Sequence, residues 1–203
     1  MDLTHFFQEV INYASGIKIL EFAAMISGLL CVWYLIRQNI LTWPTGIIYV
    51  LISFVIFSKV RLYADLVLHI FYLILNIYGW YYWSAPGKRQ DHQVPVTTAG
   101  SSLMGILLFL SALGTYLSGM LLSEFTDASL PYWDSATSVL SIAAMWLTAK
   151  KKIENWIIWF VVDLLATGIY FYKGLYFYCI LYLVYIGMAV AGYVAWRKSM
   201  TNT

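Results

Sequence analysis

From Gln93 to Ser123 the chain runs 31 residues without one charged side chain. An α-helix rises about 1.5 Å per residue, so roughly 20 such residues cross the ~30 Å hydrocarbon core of a bilayer. This is the longest of several uncharged runs. The charged residues, 11% of the chain, collect between them, against about 25% spread through an ordinary soluble domain. Inside hydrocarbon each backbone N–H and C=O must find an internal partner, which leaves helices and closed barrels. A barrel would show short alternating segments in place of continuous apolar runs. The chain is therefore expected to be an all-α polytopic membrane protein.

Charge breaks and turn residues set seven spans at about 20–37, 44–58, 62–83, 97–122, 133–149, 155–172 and 175–196. Pro44 suits a first helical turn, where its missing N–H costs nothing. Residues 84–95, with two prolines and mixed charges, read as the clearest loop, and 123–131 as the second. The N-terminal stretch has Asp2 and Glu9 where a signal peptide would be basic. Phe6, Phe7, Val10 and Ile11 instead form one apolar face, suited to a helix lying in the interface.

The chain also echoes itself. Residues 43–83, shifted by 113, fall on 156–196 without a gap and with nine identities. Trp43 meets Trp156, Leu62 and Tyr63 meet Leu175 and Tyr176, Tyr72 meets Tyr185, Gly79 meets Gly192, and Trp83 meets Trp196. Self-similarity at a fixed period is normally architectural. The expected organisation is an interfacial segment (1–19), a three-helix repeat (20–83), a linker helix with its loops (84–132), a second three-helix repeat (133–196) and a tail (197–203). One intervening span makes this a 3+1+3 arrangement of parallel repeats, whose ligand site would lie between the halves. Arg37, Lys88, Arg89, Lys150, Lys151, Lys152, Arg197 and Lys198 fall on one side. Lys18, Lys59, Arg61 and Lys173 fall on the other. The positive-inside rule then puts the N-terminus outside and the C-terminus in the cytoplasm.

Polar groups within spans are costly and mark cavities or partners. Asp163 lies about 12 Å along its span, with Trp159 one turn before it and Thr167 one turn after it on the same face. A carboxylate beside an indole suits an organic cation, by ion pairing and cation–π attraction. A hydrogen bond to a neighbouring helix is the structural alternative. The echo puts Val50 opposite Asp163 and Gly46 opposite Trp159, so the scaffold does not need this charge. In the third span Asp65, His69, Tyr72 and Asn76, spaced 4, 3 and 4, share a helix face. Asp65 reads equally well as a helix-terminus charge. Asn155 at the start of span six, Trp133 at the start of span five, and Tyr182 and Tyr185 of span seven complete the candidate binding residues. Trp133 and the tyrosines also fit an interfacial belt or plain helix packing. Asp134 falls on Glu21 by the same offset, which favours a scaffold role such as pairing with a lysine. No phosphate loop, nucleophile motif or His/Cys cluster at metal spacing is present, so neither an enzyme, a cofactor nor a metal site is expected. Cys31 and Cys179, inside apolar runs, do not suggest a disulfide.

The stretch WPTGIIYVLISFVIFSKVRLYADLVLHIFYLILNIYGWYYW, followed by PYWDS and NWIIWFVVD, resembles the Pnu family of bacterial vitamin transporters over about residues 19–196. The resemblance implies the 3+1+3 layout related to sugar transporters of the SWEET type, an inner-membrane location and a homotrimer. It also implies facilitated diffusion of an unphosphorylated vitamin, trapped afterwards by phosphorylation in the cytoplasm. Nicotinamide riboside carriers of the family have a Trp-x-x-x-Asn motif in span six and a Gln in span three. This chain has Trp159 and Asp163 in the first and His69 at the second. A full carboxylate suits the thiazolium of thiamine, so a small cationic vitamin, thiamine first and nicotinamide riboside as runner-up, is the expected substrate. The lipid bilayer is the other expected partner, with no nucleic acid. A non-transporting membrane scaffold is the alternative of a different class.

Overall fold

A computed structural model describes residues 3–16, 19–60, 63–84 and 94–201. Arg61, Leu62, Lys18, Lys88 and Arg89, and most of the expected 84–95 loop, lie outside the described residues. Eight helices are found among them: α1 Leu3–Gly16, α2 Ile19–Ile36, α3 Thr42–Val60, α4 Tyr63–Ser84, α5 Ser101–Phe125, α6 Pro131–Ala149, α7 Asn155–Tyr172 and α8 Tyr176–Thr201. Six of these, α2 to α5, α7 and α8, are long and apolar enough to cross a membrane.

Expected span five, α6, is not among the six. Its serines and threonines lower its hydropathy, and the fold explains why it can carry them. It packs against α4, α5 and α7 at once, so Ser135, Ser141, Ala144, Leu147 and Thr148 are buried. Three of its hydroxyls bond back to its own carbonyls, Thr137 and Ser138 to Asp134 O and Thr148 to Ala144 O. A helix enclosed by other helices need not match lipid.

The helices close into a ring. Contacts run α2–α3–α4–α6–α7–α8 and back to α2, with α5 docked outside on α6 and α1 on α8. The expected fourth span began at 97, but α5 starts at Ser101. Residues 94–99 are held extended along the α6–α7 turn instead. There Thr97 exchanges backbone bonds with Lys151 O and Ile153 N, and Ala99 N donates to Glu154.

The offset of 113 recurs in the backbone. Two residues beyond the ends of α2 and α6 stand Gln38 and Lys151, both non-glycine residues in the left-handed region, with φ of 54° and 51°. Such positions persist only where the surroundings hold them. Here the same bonds do so: Gln38 N to Leu35 O and Asn39 N to Tyr34 O, then Lys151 N to Thr148 O and Lys152 N to Leu147 O. Each turn is tied by a side chain, half-buried Gln38 donating to Ser199 Oγ at 2.9 Å and buried Lys151 Nζ donating to Val94 O at 2.7 Å.

The shared tryptophans form the core at this end. Trp43 meets Trp83 edge-to-face, centroids 5.2 Å apart, and Trp156 meets Trp196 in the same way at 5.5 Å. Each inner ring lies against a glycine: a Cβ on Gly79 would run into Trp43, and one on Gly192 into Trp156. The outer indoles tie the two sequence segments to each other. Trp83 Nε1 donates to Ala149 O at 3.1 Å and Trp196 Nε1 to Leu35 O at 3.0 Å.

Candidate functional site

The inner faces of the six ring helices bound a cavity of about 190 Å³, whose lining sets polar groups such as Asn76, Ser141 and Asp163 among apolar ones such as Val32, Leu35 and Met145. Its lining follows the 113 offset closely. Gly28 and Ser141, Gly46 and Trp159, Val50 and Asp163, Tyr72 and Tyr185, and Asn76 and Ala189 are offset pairs, and both members of each reach the wall. Cys31, Thr42 and Tyr182 line it without their counterparts.

Asp163 is the cavity's charge. It is 6% exposed, and its carboxylate has no hydrogen bond or ion pair among the described residues. Tyr72, Tyr182 and Tyr185 are near enough to feel its field. Trp159 stands on the same wall, its indole N–H donating to Thr148 Oγ1 at 3.3 Å, and Thr148 in turn bonds Ala144 O. The indole is thus pinned to α6 where it lines the cavity. Asn76, 3% exposed, donates from Nδ2 to Tyr72 O at 2.8 Å, while its Oδ1 has no partner. The wall therefore combines a carboxyl group, an indole, tyrosines and an amide.

Six of the ten expected binding residues meet at this cavity: Asp163, Trp159, Asn76, Tyr72, Tyr182 and Tyr185. The other four do not reach its wall. His69 is buried in an aromatic box of Tyr49, Phe54, Phe57 and Tyr72, with Nδ1 2.8 Å from Asp65 O. This is the packed arrangement that competes with ligand contact for a histidine within a span. Thr167 bonds Asp163 O, and Asn155 Nδ2 bonds Lys152 O at the start of α7. Trp133 is 53% exposed at the start of α6. Asp134 forms an ion pair with Lys173 at 3.0 Å, as its shared position led one to expect. Residues that sequence reasoning passed over are Cys31, Thr42, Gly46, Tyr49, Ser141 and Thr148. The offset itself could have found Gly46, since it is the counterpart of Trp159.

The family model for the nicotinamide mononucleotide transporter matches residues 18–198. The chain belongs to this family. It is a membrane transporter of the PnuC type, as the resemblance led one to expect. It is 28% identical to the nicotinamide riboside transporter PnuC of Escherichia coli K12 over 204 residues, covering 89% of this chain and 85% of the relative. It is 27% identical to the riboflavin/roseoflavin transporter RibM of Streptomyces davaonensis over 173 residues, covering 84% and 81%. The solved structure of the vitamin B3 transporter PnuC superposes with a TM-score of 0.74 at 21% identity, over 98% of this chain and 90% of that one. That likeness is one of fold. The relatives carry the names of nicotinamide riboside and riboflavin, not thiamine, and so favour the runner-up substrate over the first.

Proposed function

We propose that this chain takes up a cationic, ring-bearing vitamin, with nicotinamide riboside as its substrate. The observation that carries the reading is the Asp163 carboxyl group, unpaired among the described residues, on the same cavity wall as Trp159. A cation entering there gains ion pairing and cation–π attraction at one place. The names of the relatives put nicotinamide riboside first. Thiamine is the second reading, because a full carboxylate rather than an amide stands at position 163. Riboflavin, being neutral, has no use for it.

In this reading α6 spans the membrane with the other six ring and linker helices. That gives seven spans in a 3+1+3 arrangement, residues 20–83 and 133–196 being the two repeats and 84–132 the linker. The closed ring of paired helices supports it. The halves rock about the shared site, the substrate moves down its gradient, and cytoplasmic phosphorylation retains it. The N-terminus lies outside and the C-terminus in the cytoplasm of a bacterial inner membrane, and three copies assemble in it.

The test is calorimetric titration of the purified protein with nicotinamide riboside, thiamine and riboflavin side by side, followed by uptake into liposomes containing only this protein. Binding and uptake of nicotinamide riboside are expected. Tight thiamine binding without nicotinamide riboside binding would move the second reading to first place. Binding of neither cation, or no uptake, refutes a cation transporter and leaves the scaffold reading.

A further inference from the structure

The two halves of the cavity differ most sharply where one bulky group changes helix. In the second half the bulk is on α7: Trp159 stands beside Ala189 of α8. In the first half it is on α4: Asn76 stands beside Gly46 of α3. A Cβ built on Gly46 would lie 3.2 Å from Asn76 Cγ and 3.2 Å from Cys31 Sγ, and would overlap Asn76 Oδ1. The carboxamide therefore rests in a notch that exists only because position 46 has no side chain.

The notch has little room to give. On its α2 side Cys31 is tied to Thr42 twice over, the thiol donating to Thr42 O at 3.2 Å and Thr42 Oγ1 donating to Cys31 O at 2.9 Å. Its other side is the Asn76 amide, whose Nδ2 is held by Tyr72 O one turn back. Its Oδ1 is buried and has no donor among the described residues. Nδ2 carries two N–H groups and spends one of them on Tyr72 O, so the carboxamide keeps one donor. Substitution at 46 would leave Cys31 in place and push the amide out of its notch, breaking the bond to Tyr72 O.

We propose that Gly46 is a positioning residue for substrate binding: it takes Asn76 Oδ1 into its notch and so fixes the carboxamide with its second Nδ2–H free to donate to an uncharged acceptor on the substrate. The amide then reads the neutral part of the molecule while Asp163 holds the cationic part. The inference rests on the proposed cation-transport reading, and a double-mutant cycle separates the two.

Wild type, Gly46→Ala, Asn76→Ala and the double variant are titrated with nicotinamide riboside and thiamine, and each is melted in detergent. Each single variant is expected to bind about tenfold more weakly, the scale of one lost hydrogen bond to a buried group. The double variant should bind no more weakly than Asn76→Ala, because with the amide gone the new methyl has nothing to displace. Gly46→Ala should also melt lower than wild type, and the double variant should recover that loss. Fold-losses that multiply in the double variant, or a Gly46→Ala protein that binds like wild type, overturn the proposal. If Gly46→Ala does not fold, a folded double variant supports it and an unfolded one overturns it. If wild type binds neither cation, the functional reading fails. The seating of Asn76 is then judged by the melting cycle alone, recovery supporting it and additive losses overturning it.

Discussion

Replacing Asp163 by Leu should weaken the binding of the cationic substrate while leaving the protein as stable as before, or more so. In the free protein the carboxylate is 6% exposed and lacks a hydrogen-bond or ion-pair partner among the described residues. A buried carboxyl group without a partner opposes folding in either protonation state, and its replacement by an apolar group of similar size relieves that opposition. With substrate bound the sign reverses. Two unit charges about 4 Å apart attract by ~4 kcal/mol at an effective dielectric constant near 20. Breaking one partner of a buried pair typically costs ~3–5 kcal/mol. Residual water in a 190 Å³ cavity argues for the lower end, so about 3 kcal/mol is expected, a loss of roughly 150-fold in affinity. Calorimetry and thermal melting on the same preparation read both signs together. The combination is diagnostic, because a residue kept for helix packing would lower both quantities. A Leu variant that binds its cation within threefold of wild type, or that loses many degrees of melting temperature, refutes the reasoning.

Other outcomes follow from the same geometry. Asp163→Asn should weaken thiamine more than nicotinamide riboside, since an amide keeps hydrogen bonding and loses only the charge; equal losses for both would count against an ion-pairing role. Gly79→Ala and Gly192→Ala each force a methyl into a tryptophan ring, and should cost about 1–3 kcal/mol of stability apiece, read as matched drops in melting temperature. Lys173→Ala breaks an ion pair whose partners are about 30% exposed, and should cost under about 1 kcal/mol. Burial pushes the Lys151 amine down to about 8. The folded state then holds fewer protons than the unfolded one above that pH, so stability should rise between about pH 8 and the unfolded lysine range near 10. Lys151→Met should abolish that rise, and a melting difference that stays flat with pH would show the amine to be unshifted.

The long uncharged runs by themselves determined the class of fold, because no other backbone arrangement satisfies its polar groups in hydrocarbon. The echo by itself determined which residues serve the scaffold. Trp43, Gly79 and Trp83 with their counterparts became the duplicated ring-on-glycine contacts, since a methyl on either glycine would overlap the facing tryptophan. Asp163 stood out in sequence for the opposite reason, as a charge that the other copy lacks. What only tertiary structure decided was which face of each helix looks inward. Spacing places Asp65, His69, Tyr72 and Asn76 on one stripe, yet Tyr72 and Asn76 reach the cavity and His69 turns into an aromatic box with Tyr49 and Phe57. A helix stripe covers enough arc to touch two neighbours, and the neighbours, not the period, choose between them. α6 shows the same limit: hydropathy could not tell a polar helix outside the membrane from one enclosed by three others. The notch over Gly46 is the clearest case. It is an absence of atoms, and becomes visible only when α2, α3 and α4 are brought together around the amide of Asn76.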